Sequence, residues 1–372
     1  MSAPISVWAA EALDEDVRLA LRRLAEERDV VAVAVMPDVH LAHGVCIGTV
    51  TATTRTIYPG AVGGDIGCGV AAVRLGMTAA ELDGERAAAS VLSGLYERIP
   101  FIKHASGPPP PPHVSPDDLS LPALRKLARR DGRVQLGTLG RGNHFLELQR
   151  DQEGDLWLAV HSGSRAMGPA IRDLHLRGVP GRGPFHNLEI GTEVCAAYLS
   201  DVDWARRYAS ASRRWMVDQV ADLMGELFGA QHDEDSFFDT DHNHVQCEEH
   251  VGRNLWVHRK GALHAAQGSI GIIPGSMGTA SYHVEGRGHA ESLCSSSHGA
   301  GRAMSRTEAR RRISKKRLLG DVEGVWFDHR LTQRLREEAP GAYKDISKVM
   351  RAQCELTRVV RRLEPVLVYK GA

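Results

Sequence analysis

Apolar positions follow helical spacing at the start of the chain and strand-like runs soon after. Within residues 11–29, Leu13, Val17, Leu21 and Leu24 recur at helical spacing among charges, and the run VVAVAVMP that follows reads as a buried strand. From residue 37 to 70 the chain is rich in glycine and short of charge, and the apolar pieces at 45–50 and 70–75 predict strands joined by tight loops. Five prolines at 108–112 lack backbone donors and must be extended, which predicts an exposed insertion over about 104–118. Residues 121–130 predict a helix, and FLELQ and LWLAV predict paired strands around the turn DQEGD. A long helical pattern over 188–228 carries a predicted break near 200–203, and the acidic segment HDEDSFFDTDHNHV reads as a loop. Beyond it, glycine-rich loops alternate with strands as far as residue 297. No repeat stands out and nothing but the proline run looks like a linker, so one α+β domain spanning residues 1–372 is expected.

Composition narrows the function. Forty-six basic residues balance 46 acidic ones, which excludes a histone-like polyelectrolyte and confines any nucleic-acid contact to a local patch. That patch is residues 302–317, where eight of sixteen positions are Lys or Arg and only Glu308 opposes them. Six cysteines form no CxxC pair, and the first residues lack the form of a signal peptide, so a reducing cytoplasm is expected, with no membrane partner. The 38 glycines and 18 histidines suit a site built from loops and imidazoles.

The densest chemical signal is GGDIGCG, in which glycines free the backbone to aim Asp65 and Cys68 at one point. His144 in GRGNHFLEL, His161 in VHSGSR and His242 in DHNHV each end an apolar run, where a strand can deliver an imidazole into a cleft. Together they make five ligands of transition-metal type, enough for two ions if the Cys68 sulfur bridges. Thiolate and imidazole suit zinc, whereas manganese prefers oxygen, so the ligands alone leave the metal open. Downstream, IIPGSMGTASY and SSSHGAGR offer backbone N–H and hydroxyl donors that fit phosphate oxygens. His298 in the second of these could attack phosphorus as a neutral imidazole, with Arg302 nearby to hold the departing anion. HRKGA adds Arg259 and Lys260 as candidate phosphate clamps.

The ordered set MPDVH, GGDIGCG, GNHFLE, HSGSR, HN, HRKGA, PGSMGTASY, SHGAGR and terminal YKG resembles the RtcB family of RNA ligases, from about residue 35 to 370. The resemblance implies a single catalytic domain with mixed sheets and helices around a dinuclear metal cleft. It implies an enzyme dependent on GTP and manganese that joins RNA ending in a 2′,3′-cyclic phosphate or 3′-phosphate to RNA bearing a 5′-hydroxyl. By motif, Asp65, Cys68 and His144 would hold one Mn2+ and Cys68, His161 and His242 the other, while His298 would carry GMP. Guanylate contacts would come from Asn143, Glu147, Asn243, the loop Pro274, Gly275, Ser276 and Met277, then Ser281, Gly299, Ala300, Gly301 and Lys370. Asp38 would lie near the metals, and Arg302 and Arg306 would begin an RNA-backbone groove along the basic run.

The wording GRGNHF and HSGSRAMG departs from the family's usual GGGNHF and HSGSRGLG without altering a proposed ligand. The short chain resembles the bacterial branch associated with release-factor-like proteins, which implies RNA repair and leaves room for an activating or release-factor-like partner. Two other readings stay open from sequence: an enzyme that caps 3′-phosphate ends of RNA or DNA with GMP without joining them, and an RNA-binding accessory protein that has lost ligation.

Overall fold

Strand Gly69–Thr78 lies at the heart of the larger sheet because both of its faces are apolar: Val70 and Ala72 point one way, Ala71, Val73 and Leu75 the other, and all five are buried. The computed structural model describes residues 2–42, 44–181, 183 and 185–371, and folds them as one compact α+β domain. The larger sheet runs, edge to edge, Ile270–Ile273, Ser281–Gly286, Thr357–Tyr369, Phe145–Arg150, Asp155–Ser162, Gly69–Thr78 and His232–Asp241, all antiparallel. Trp326–Phe327 pairs beside it, parallel to Thr357–Tyr369. The expected FLELQ and LWLAV hairpin is the Phe145–Arg150 and Asp155–Ser162 pair, with Phe145 opposite His161.

One face of this sheet packs on helices Glu85–Arg98 and Glu193–Phe228, where Val91, Leu95, Met216, Val217 and Val220 meet Val73, Leu148, Leu158 and Val160. A smaller sheet of Ile5–Val7, Val30–His40, Ile47–Thr53, Arg253–Lys260 and Asn243–His250 adjoins it. The expected helix-then-strand opening is helix Glu15–Ala25 followed by Val30–His40. The last strand of the larger sheet and the edge strand of the smaller one are separated by His242 alone.

Three expectations need correction. The helical pattern does not break near 200–203: Glu193–Phe228 is continuous for 36 residues, capped by the Thr192 hydroxyl and ended by Gly229 at φ 72°. The polar residues that suggested a break are satisfied sideways, since fully buried Asp201 accepts from the Ser120 backbone N–H and hydroxyl and sits 2.7 Å from His175. Nor is the acidic segment a loop. His232–Asp241 is a strand because arginines answer its acids: Asp233 pairs with Arg74, Asp239 with Arg213 and Asp241 with Arg206. The proline run is only partly the exposed insertion expected: Pro109, Pro110 and Pro112 are exposed, but Val114 and Leu119 are buried. Trp204 and Arg207 of the long helix hold the carbonyls of Ser115 and His113, each at 2.7 Å.

Arg213, 1% exposed, donates to the carbonyls of Gly67 and Ser162, both at 2.8 Å, as well as to Asp239. Arg213→Met should strand a carboxylate and two buried carbonyls and lower unfolding free energy by about 3 kcal/mol in urea titration. A loss below about 1 kcal/mol would show that the clamp is not structural.

Candidate active site

Four neighbouring strands of the larger sheet bring their ends to one place. Cys68 immediately precedes Gly69, whose register partners are Ser162 on one side and Asp241 on the other. His161 and His242 are therefore next to Cys68, and His144, just before Phe145, joins from the fourth strand. The loop that presents Asp65 and Cys68 depends on glycine at two close approaches. A Cβ on Gly67, at φ 72°, would stand 2.9 Å from the Arg206 Cα, and one on Gly69 would stand 2.2 Å from the Thr240 carbonyl.

Two ligand groups result, Cys68–His161–His242 and Asp65–Cys68–His144, and within each the donor atoms lie within 4.8 Å of one another. The Cys68 Sγ is 3.4 Å from His144 Nε2 and 3.3 Å from His161 Nε2, and Asp65 Oδ2 is 2.9 Å from His144 Nε2. Burial pushes the Cys68 thiol well up, and the Asp65 charge pushes the same way. Burial together with neighbouring imidazoles holds His161 and His242 well below the usual histidine range, in the neutral form that ligates metals. Burial resists the Asp65 charge, yet the adjacent His144 keeps that carboxyl below its ordinary value. The His161 Nδ1 lies 3.1 Å from the Asn143 carbonyl, which directs its Nε2 at the sulfur. His242 Nδ1 is buried without a hydrogen-bond partner among the described residues. Sulfur, imidazole and carboxylate donors around a partnerless buried nitrogen fit a divalent transition metal.

His298 adjoins this cluster, its ring centroid 4.7 Å from that of His242. Its Nδ1 is 2.6 Å from Oδ2 of fully buried Asp38, whose same oxygen accepts the His298 backbone N–H at 3.2 Å. A carboxylate partner makes Nδ1 the protonated nitrogen and leaves Nε2 with a free lone pair. That histidine lines a cavity of about 300 Å³, walled by Asn143, Glu147, Pro274, Gly275, Ser276, Met277 and Ser281. Gly299, Ala300, Gly301, Arg302, Arg306 and Lys370 complete the predicted members. Lys370 is no frayed terminus: it is buried and pairs with Glu338 at 3.1 Å.

Three predicted residues do not reach the cavity. Arg259 is fully buried, paired with Glu248 and bonded to Ser295 Oγ and the Leu293 carbonyl, so it braces strands. Lys260 spends its ammonium on the Val45 and Gly60 carbonyls. Asn243 ties the Asp65 carbonyl to the Gly261 N–H, supporting the metal loop from behind. Conversely, sequence reasoning missed several wall or neighbour residues. Glu338 accepts from Arg302, Lys370 and the Tyr343 hydroxyl, and Arg165 reaches within 3.3 Å of His144 Nδ1. Arg165 stands in the HSGSR motif and was within reach, whereas nothing local to Glu338 or Tyr343 marks them.

Fold and site together define an α+β protein built around a candidate transition-metal cluster that opens onto a cavity with a free histidine nitrogen. The chain belongs to the RtcB family: the family model described as tRNA-splicing ligase RtcB matches residues 20–109 and 116–371. RNA-splicing ligase RtcB1 and RNA-splicing ligase RtcB, from two Escherichia coli strains, are each 35% identical to it over 100% of this chain and 98% of their own. The tRNA-splicing ligase RtcB of Thermococcus kodakarensis is 30% identical over 91% of this chain and 87% of its own.

Because Cys68 belongs to both ligand groups, Cys68→Ala should weaken divalent-metal binding at least tenfold more than Asp65→Ala or His242→Ala, as read by competition with a chromogenic chelator. Equal losses for the three variants would remove the shared role of the sulfur.

Proposed function

We propose that this chain is an RNA ligase that joins 2′,3′-cyclic phosphate or 3′-phosphate ends to 5′-hydroxyl ends through a guanylylated His298. The observation that carries this reading is the pairing of His298 Nδ1 with buried Asp38 at 2.6 Å, which leaves Nε2 free at the cavity wall beside the metal cluster. In the first step Nε2 attacks the α-phosphorus of GTP, a P–N bond forms, and the bond to the β-phosphate breaks to release pyrophosphate. Asp38 retains the Nδ1 proton and stabilises the imidazolium character that develops. A 2′,3′-cyclic end first takes up water, breaking the bond from phosphorus to the 2′-oxygen to leave a 2′-hydroxyl and a 3′-phosphate; an oxygen of the RNA 3′-phosphate then takes the GMP, breaking the P–N bond and forming an RNA-3′-pp-5′-G end. Finally the 5′-hydroxyl attacks the RNA 3′-phosphorus, the phosphodiester forms and GMP departs.

Asp65, Cys68 and His144 would hold one Mn2+ and Cys68, His161 and His242 a second. Such ions supply charge neutralisation at phosphate oxygens. Among the residues lining the cavity, Glu147, Ser281 and Lys370 would contact the guanine base, and Ser276 and Gly299 to Gly301 the ribose and phosphate. RNA would approach along the basic helices Arg306–Arg312 and Lys315–Asp321. Arg310, Arg312 and Arg317 there pair with Glu337, Glu308 and Asp321, but Arg311, Lys315 and Lys316 are exposed without an ion pair among the described residues. Repair of cleaved RNA in the cytoplasm is the role we assign. The described helices include none long and apolar enough to cross a membrane.

With α-labelled GTP and manganese, the unaltered protein should retain label through a denaturing gel and His298→Ala should retain none. Label on His298→Ala, or no label on either protein, would refute the histidine route. Reversing Arg311, Lys315 and Lys316 to Glu should flatten the slope of log RNA affinity against log salt by about 2, at ~0.7 per single-strand phosphate contact. An unchanged slope places the RNA elsewhere.

A further inference from the structure

Behind the cavity wall stands a glutamine that touches no ligand space yet bonds two groups that do. Gln149 lies two residues beyond Glu147 on the strand Phe145–Arg150, hence on the same face, and is fully buried. Its Nε2 donates to Glu147 Oε1 at 2.6 Å and to Ser281 Oγ at 3.1 Å. With Glu147 ionised, the opposite amide orientation would set two acceptor oxygens 2.6 Å apart, so the amide N–H donates there, and Gln149 Oε1 is left buried without a partner among the described residues. An orphaned carbonyl costs stability. What it secures is the hydrogen-bonding state of the wall. Ser281 Oγ also receives the Gly275 N–H at 3.3 Å, so its own proton is free for the cavity. Glu147 keeps Oε2 as an acceptor, with the Lys370 ammonium on the same wall.

We propose that Gln149 is a specificity-positioning residue, which by donating to Glu147 keeps that side chain a pure acceptor and so favours guanine over adenine. The inference rests on the guanylate reading of the cavity. Guanine presents adjacent donors at N1 and the 2-amine, which an ionised carboxylate accepts, and an O6 that suits an ammonium. Adenine presents an acceptor at N1 beside a donor, which a neutral carboxyl would match. Burial pushes the Glu147 carboxyl up to about 8 even with the Gln149 bond and the Lys370 charge opposing it, so nucleotide binding is compared above that pH, where the unaltered carboxyl is ionised.

Calorimetric binding of GMP, IMP and AMP to the full chain with manganese, without turnover, tests this. The unaltered protein should prefer GMP. Gln149→Leu should weaken GMP at least tenfold and AMP less than threefold, with IMP, which lacks the amine, falling by an intermediate factor. Gln149→Met, similar in length and without any hydrogen-bond donor, should also narrow the GMP-to-AMP ratio at least tenfold, and carries the comparison should the leucine variant fail to fold. Equal weakening of GMP and AMP, or an unchanged ratio, in a variant with unaltered melting temperature overturns the role of Gln149. Unaltered protein that binds GMP and AMP alike overturns the guanylate reading itself, and this inference with it.

Discussion

The Arg213 guanidinium is the contact on which the rest of the site depends. It reaches from the long helix to the carbonyls just before Cys68 and just after His161, and to an acid three residues before His242. One planar cation thus fixes three strand ends that carry metal-ligand candidates, at a place where the sheet has run out of ladder partners of its own. Burial of such a charge is tolerable because every donor direction it uses ends on an oxygen. The 36-residue helix is long because it must pass the sheet, this clamp and the proline loop in one span.

The cavity follows a different rule. Its charges are mutually compensated before any ligand arrives: Glu338 is held below the usual carboxylate range against its burial, with Lys370, the Tyr343 hydroxyl and Arg302 as its partners. Arg302 also bonds the Glu337 and Met304 carbonyls and lies against the Tyr343 ring. A wall of this kind undergoes little rearrangement when an anion binds, which is what pre-organised electrostatics requires.

Much of the site was legible because each ligand sits in a short motif whose neighbours are glycine, serine or asparagine, residues that open the backbone or cap a strand. What escaped reading depends on partners far away in the chain. The acids of His232–Asp241 resemble a solvated loop until Arg74, Arg206 and Arg213 are placed beside them. HRKGA looks like a phosphate clamp until burial turns Arg259 toward Glu248. Gln149 carries no signal at all as a letter in FLELQ; its meaning comes from Ser281, which lies 132 positions away. The helix and strand at the start were read correctly because local periodicity sufficed there.

His242 is the single residue between the two sheets, and it is also a metal-ligand candidate. The cluster therefore closes only when both sheets have found their registers, and it joins positions from 65 to 242. Closure over such separations is slow and comes late in folding. A bound ion, having affinity for the closed cluster and little for the open chain, would draw its binding energy into the stability of the whole domain, so that metal supply and protein lifetime become one variable.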